Sequence, residues 1–433
     1  MTDFAVGDAL RVSIDRPAHG GEGIAHDPDG RILFVRGGLP GDVVSARLTK
    51  VKKRWASAEI DDVLEAGPFR QDVDCPAAEA GAGCCDFAHV KPEMETELKK
   101  AVLVGQLSHL GGISEIPDVQ IHELSPHRGW RTRVRLGVDH EGRAGLRAKS
   151  TNRLIVGETC TQIAPQLAAG ILGEATRRFT PGAELVAALD SEGTRHLVEA
   201  VKPARGRRVA PSRHVVEGTG TAVEHVGGTT FALPATAFWQ AHRAAPEYYS
   251  ARIRQWAKEL GHQGEFTAWD LYGGAGLFAP ALVAAGARVV SVDNAGEATS
   301  AGKRALRGMP VVFDTGSVAR KLGSLPKPDL VVLDPPRQGA GSEVIRGIAS
   351  HAPKLVIHVG CDPATFSRDA AAWAAAGYRI VRLELVNAFP GTHHFETFAA
   401  LVPDAGAAGD GAGEAASISN EQATMQWSRS IDE

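Results

Sequence analysis

The stretch "DLYGGAGLFA", residues 270–279, decides the fold. A β-rich run, "TAWDL" (267–271), ends in a turn where Gly274, Gly276 and Ala279 fall at the spacing G-x-G-x-x-(G/A), and a helical pattern follows. Glycines there let the backbone come close to a ligand at a helix N-terminus. Asp293 closes the next strand pattern, "RVVSVD" (288–293), 19 residues beyond Gly274, where a carboxylate can hold a ribose hydroxyl pair. Strand, glycine turn, helix and acid together predict an adenosine-type ligand, and NAD and S-adenosylmethionine both meet these requirements.

Downstream come "DLVVLD" (329–334), "LVIHV" (355–359), "YRIVRLELV" (378–386) and "FETFAALV" (395–402), with helices between most of them. The alternation predicts an α/β domain over 237–403 with a doubly wound, mainly parallel, Rossmann-like sheet. Asp334 ends the fourth strand and is followed by Pro335, Pro336 and Arg337. An acid on a stiff Pro-Pro turn beside the cofactor crevice suits the positioning of a planar base. Methyltransferases acting on nucleobases commonly carry such a motif, and dehydrogenases do not need it. One strand later, "HVGCDPATF" (358–366) sets Cys361 at the seam of a strand and a helix that starts at Pro363. Free N–H groups and the helix dipole favour a thiolate there. Taken alone, Cys361 is either a nucleophile or a small buried hydrophobe.

Bulk properties bound the remainder. The chain has 433 residues, 43% of them hydrophobic, enough for several cores. No apolar run reaches the roughly 18 residues that span a bilayer, and the N-terminus has no secretory pattern, so a cytoplasmic protein without a membrane partner is expected. The net charge of −4 excludes a uniformly basic binder, but cations cluster locally. Residues 128–153 carry eight Lys/Arg against Asp139 and Glu141, and 202–213 add Lys202, Arg205, Arg207, Arg208 and Arg213 with no acid. In "GWRTRVRLGVD", Arg131, Arg133 and Arg135 fall on one face of a predicted strand, a row of guanidiniums suited to a polyanion. The alternative is a solvated face. Residues 1–66 read as short strands between Gly/Pro turns, a small β-barrel bearing Lys50, Lys52, Lys53 and Arg54. Residues 67–236 read as a β-rich central domain with one helix near 91–110 that packs on the C-terminal domain. Beyond 403 the chain is rich in Ala, Gly and Ser and predicts a disordered tail.

Cysteines are five: 75, 84, 85, 160 and 361. An odd number in a cytoplasmic chain does not read as a disulfide scaffold. Three within eleven residues read better as a metal or cluster site.

On these motifs the sequence resembles the RNA uracil-5-methyltransferase family. "CDPATFSRD" is similar to the family's nucleophile motif, "FPGTHHFET" (389–397) to its C-terminal motif, and "DLYGGAGLF" and "LDPPRQG" to its cofactor and substrate motifs. "FWQ" (238–240) and "GETC" (157–160) match its glutamine and cluster-cysteine positions, and the N-terminal barrel resembles the TRAM module. The resemblance implies Cys361 as nucleophile and Glu396 as base. It implies a cofactor and uracil site at Gln240, Tyr272, Gly274, Gly276, Leu277, Asp293 and Asp334, with Asp314 near the adenine edge. It further implies a 4Fe–4S cluster on Cys75, Cys84, Cys85 and Cys160. RNA is the expected partner, rRNA ahead of tRNA, and a monomer is the default. The match departs at Cys84, displaced to stand beside Cys85. It departs also at Gly273, Asp362 and His242, where the family often has cysteine, asparagine and asparagine. Two other readings stay open: a methyltransferase for another nucleobase or a small molecule, and a catalytically dead RNA-binding or redox-sensing protein.

Overall fold

The computed structural model describes residues 4–149, 151–174, 177–201, 212–261 and 264–404. Lys202, Arg205, Arg207, Arg208 and the tail expected to be disordered lie outside the described residues. Residues up to 403 form one compact unit.

The N-terminal strands make a sheet in the order Ala9–Ser13, Val43–Val51, Trp55–Glu65, Ile32–Arg36, Glu22–His26, Arg16–Ala18. Alternate residues Leu33, Val35, Val44, Ala46 and Leu48 point inward and close a small apolar core. The turn after the barrel is pinned by Asp42, whose buried carboxylate accepts from Leu39 N–H, Gly67 N–H and the Arg70 guanidinium. A second sheet orders Leu154–Ile155, Ala144–Arg147, Arg133–Val138, Glu184–Leu189, Arg195–Val201 and Ser212–Glu217, all antiparallel.

The third sheet positions the site. Its order is Val311–Thr315, Ala287–Asp293, Phe266–Leu271, Leu330–Leu333, Leu355–Gly360, Glu396–Pro403, Tyr378–Asn387, Val119–Glu123. The first five are parallel, and strand order reverses between Phe266–Leu271 and Leu330–Leu333. The near-continuous Val/Leu/Ile runs of Leu330–Leu333 and Leu355–Gly360 follow from burial on both faces. The strands read from the sequence agree with this sheet to within a residue or two.

One strand of this sheet, and a helix and a hairpin that pack on its faces, come from upstream of residue 237. Val119–Glu123 pairs in parallel with Tyr378–Asn387 at the sheet edge, and the helix Glu95–His109 buries Leu103 and Leu107 against the same core. The hairpin Thr221–Val226/Thr229–Pro234 contributes Val226, Phe231 and Leu233 to the opposite face. The sequence-based boundary at 236/237 therefore falls inside a continuous core.

Candidate active site and cysteine centre

The parallel strands bring their carboxyl ends to one edge, where a ligand crevice is expected in such sheets. A cleft of about 840 Å³ opens there, lined by Gln240, Tyr272, Gly274, Leu277, Asp293, Asp334, Cys361 and Glu396 among others. The register explains the meeting of the last two. Gly360 pairs with Thr397 across an antiparallel ladder, so Cys361 and Glu396, the next residues outward, stand level with one another. Asp334 follows the strand beside Leu355–Gly360 and completes the triangle.

The glycine turn is bent by Tyr272, a non-glycine residue at φ 61°. That conformation costs about 1–3 kcal/mol and is tolerated where surroundings enforce it. Here Tyr272 N–H bonds Val292 O at 2.8 Å, and Gly274 N–H reaches Asp293 Oδ2 at 3.1 Å. Gly276 sits behind the turn: a Cβ there would lie 2.9 Å from the Phe313 ring, so its role is to let helix and strand close up. Asp314 lies on Val311–Thr315, outside the cleft lining, and pairs with Lys321 at 2.6 Å. At Gly273 a Cβ would stand 2.3 Å from Asp270 Oδ2 and 2.5 Å from Ser291 Oγ, which accounts for glycine where a cysteine is common.

The cleft is electrostatically loaded. Burial raises Asp270 to about 7, with the charge of Asp293 adding to it and a hydrogen bond from Ser291 opposing. Asp334 rises likewise to about 7, through burial and then Asp270. Burial and the Asp334 charge push Glu396 well above the carboxylate range against Arg337, and its Oε2 is buried with no partner. Burial, then Glu396 and Asp334, lift the Cys361 thiol to about 12, again opposed by Arg337. Burial thus disfavours the charged forms of both Cys361 and Glu396, and the Arg337 guanidinium acts the other way on each.

Asp362 caps the helix Pro363–Ala375 by accepting from Thr365 N–H at 2.8 Å, and His19 Nε2 from the barrel lies 3.1 Å from its other oxygen. These contacts outweigh burial and hold Asp362 well below the usual carboxylate range. Its charge is the smallest of the effects raising Cys361. The loop before Glu396 is anchored from the upstream helix. Lys99, fully buried, pairs with Glu95 and donates to Asn387 Oδ1 at 2.7 Å and Phe389 O at 3.3 Å, while Glu95 accepts from Gly391 N–H at 2.9 Å. His393 bonds Asp86 through ring and backbone nitrogens. Asp270, Glu95, Lys99, His19 and Trp130 were not singled out from sequence. Asp270 alone left a signal, an acid within an apolar strand run; the others matter through contacts far along the chain.

The four upstream cysteines converge. Cys75, Cys85 and Cys160 are buried and Cys84 is half-buried; Cys85 Sγ lies 3.3 Å from Cys75 Sγ, 3.3 Å from Cys160 Sγ and 3.7 Å from Cys84 Sγ. Gly83 makes the approach possible, since a Cβ there would meet Lys149 Cα at 2.9 Å. Hydrogen bonds from the neighbouring thiols hold Cys75 below the ordinary thiol value. Four soft donors at one point fit a thiolate-bound metal centre. Their spacing is close to the edge of about 3.8 Å for a tetrahedron built on a metal–sulfur bond of about 2.3 Å. A four-iron cluster, in which each thiolate binds a different iron, requires the sulfurs to spread.

A second cavity of about 850 Å³ adjoins the cleft, sharing Phe238, Trp239, Arg337 and His394. Arg131, Arg135, Arg147 and Lys149 line it, and Cys84 and Cys160 form part of its wall. The guanidinium row is less free than the alternation suggests. Arg133 pairs with Glu224 at 2.7 Å and is largely covered, and Arg135 pairs with Glu184 at 2.7 Å.

Sheet order and crevice define a class I methyltransferase fold. Residues 3–60 match the TRAM domain. The chain is 50% identical over 411 residues to an uncharacterized RNA methyltransferase of Corynebacterium glutamicum, covering 93% of this chain and 99% of that one. It is 32% identical to an uncharacterized RNA methyltransferase of Streptomyces avermitilis, covering 92% and 99%. The crystal structure of the Pyrococcus abyssi tRNA (uracil-54, C5)-methyltransferase with S-adenosyl-L-homocysteine superimposes with a TM-score of 0.67 at 18% identity, over 90% of this chain and 99% of that one. The chain belongs to the TRAM-containing RNA methyltransferases. Among the described residues no helix is long and apolar enough to cross a membrane.

Proposed function

We propose that the protein methylates carbon 5 of a uridine in RNA, through a transient bond between Cys361 Sγ and carbon 6 of the ring. The observation that carries this reading is the register that sets Cys361 level with Glu396 beside Asp334 in one cleft. S-adenosylmethionine supplies the electrophilic methyl group; a cleft of about 840 Å³ suits such a ligand, and Tyr272, Gly274, Leu277, Asp293 and Gln240 are the residues that would hold it. Cys361 releases its proton to solvent and adds as thiolate to carbon 6, and the ring's electrons shift to carbon 5 and oxygen 4. Carbon 5 takes the methyl group as the methyl–sulfonium bond breaks. Glu396 then removes the carbon-5 proton, and elimination returns the thiolate. For that step Glu396 must be ionised, and the Arg337 guanidinium favours this.

The acceptor must be unpaired or flipped to reach this depth, and the TRAM barrel with the basic cavity supplies contacts to phosphates. We carry rRNA as the acceptor class, on the pairing of a TRAM barrel with cluster cysteines. Cys75, Cys84, Cys85 and Cys160 would hold a metal, a 4Fe–4S cluster by family resemblance, which here serves to staple the loop of Asp86 against His393. Metal analysis of anaerobically purified protein tests the centre: iron and sulfide in equal amounts support the cluster, stoichiometric zinc replaces it, and metal-free active protein removes it.

Incubation with labelled cofactor and RNA, followed by digestion to nucleosides, tests the function; label in any product other than 5-methyluridine refutes it. Glu396→Gln should lower turnover by about 10²–10⁴-fold and trap a protein–RNA adduct on denaturing gels. No adduct with any RNA would favour the dead-domain reading.

A further inference from the structure

Among the described residues Arg131 has no acidic partner. Its two neighbours in the arginine row are ion-paired, yet among the described residues no carboxylate lies within ion-pair distance of Arg131, and its Nε is buried with no hydrogen-bond partner. The side chain lies 4.6 Å from the Trp130 ring centroid, a stacked cation. Its backbone is stitched to the loop that follows Cys160: Arg131 N–H bonds Gln162 O at 2.8 Å, and Ala164 N–H bonds Arg131 O at 3.0 Å. Arg131, Cys84 and Cys160 line the same cavity. Burial lowers the Arg131 pKa, and the thiols of Cys160, Cys84 and Cys85 act in the opposite direction. The guanidinium is only partly covered and opens on the cavity, but its Nε is sealed from water without a partner, and an anion beside it would offset that cost.

We propose that Arg131 is the counter-cation of the four-cysteine centre, its guanidinium offsetting the charge that four metal-bound thiolates leave uncompensated. This rests on the reading that the cysteines hold a metal. It does not depend on which one: a zinc ion or an oxidised four-iron core with four thiolates each carries a net charge of about −2. The placement also joins the centre to the catalytic cleft. Trp130, on which Arg131 stacks, donates through Nε1 to Pro390 O at 3.2 Å, in the loop leading to Glu396, and packs parallel to His242. Arg131 is a positioning residue in this sense, acting through the centre and not on the acceptor base.

The test uses the full chain, purified anaerobically, with Arg131→Gln, Arg131→Lys and, as a control in the same cavity, Arg135→Gln. Metal release is followed with bathophenanthroline disulfonate for iron and pyridylazoresorcinol for zinc, and RNA binding is titrated against salt. Arg131→Gln should release metal about 10–100-fold faster than the parent, the range for partners of metal ligands. Arg131→Lys should fall nearer the parent, and Arg135→Gln should match it. Parent-like release from Arg131→Gln overturns the proposal; if its salt dependence of RNA binding is also shallower, Arg131 is a phosphate contact instead. Release from Arg131→Lys as fast as from Arg131→Gln overturns it too, since stacking and not charge would then matter. A parent that binds no metal at these cysteines removes the metal reading and this proposal together, and is seen before any variant is made.

Discussion

At Cys361 one thiol stands among carboxylates, its pKa pushed up to about 12 by burial, Glu396 and Asp334. At Cys160 the same side chain lies 3.3 Å from a second thiol, and the cavity it shares with Arg131 carries a guanidinium with no carboxylate partner among the described residues. The difference teaches what decides a cysteine's chemistry. Anionic neighbours keep Cys361 protonated until a cationic ligand arrives, which suits a nucleophile used once per turnover. Clustered sulfurs share protons unequally, Cys75 and Cys160 shifted toward the thiolate and Cys84 and Cys85 away from it, and a metal cation would be needed to hold all four as thiolates.

The largest expected effect separates the two outright. Cys361→Ala should lose methyl transfer by about 10⁴-fold or more while keeping its metal. Cys160→Ser should lose the metal while Cys361 remains open to alkylation. Loss of both properties from either variant, by metal analysis and transfer assay, would erase the distinction.

Next comes the support of Glu396, one of the charges that set Cys361 apart. Lys99→Met leaves Glu95 buried without its cation and should cost about 3–5 kcal/mol in urea unfolding. The double variant with Glu95→Gln should recover part of that. A Lys99→Met protein of parental stability would show that the pair is not what anchors the 389–395 loop.

Smaller is the pH response. A thiol raised to about 12 is neutral at physiological pH, so its thiolate fraction grows as pH rises. Iodoacetamide labelling of Cys361 should climb about tenfold per unit between about pH 7 and pH 9, without a plateau. A plateau near neutrality would mean that the free cleft already holds a thiolate, like the metal site. Smallest of all, Asp362→Asn keeps the cap acceptor and removes one negative charge, so labelling should rise less than about tenfold. A larger rise, measured at one pH, would promote Asp362 from a cap to a main determinant of the thiol.

The catalytic sheet was legible because its signals are local. The glycine turn after "TAWDL", Asp293 and the Asp-Pro-Pro turn each announce themselves within ten residues. Val119–Glu123 was not, since five alternating residues do not reveal that their partner strand begins more than 250 residues later. The hairpin at 221–234 was assigned to the central domain because nothing in its pattern names the core it enters. The alternation at 131–135 placed three guanidiniums on one face but could not show that Arg133 and Arg135 are ion-paired, since Glu224 and Glu184 lie far downstream. Lys99 and Glu95 left no signal in the sequence, and only the fold buries them as a pair. Gly276 and Asp314 have motif positions that sequence cannot divide into cleft wall and support.

The Val119–Glu123 strand carries a lesson for anyone building chimeras from this chain. A fragment begun at residue 237 would strip the pairing partner from Tyr378–Asn387 and the Leu103/Leu107 lid from the layer behind it. The bare ladder would then recruit other copies and precipitate. A transplantable unit has to start upstream of the Glu95–His109 helix, which makes the central segment part of the engine and not a handle bolted to it.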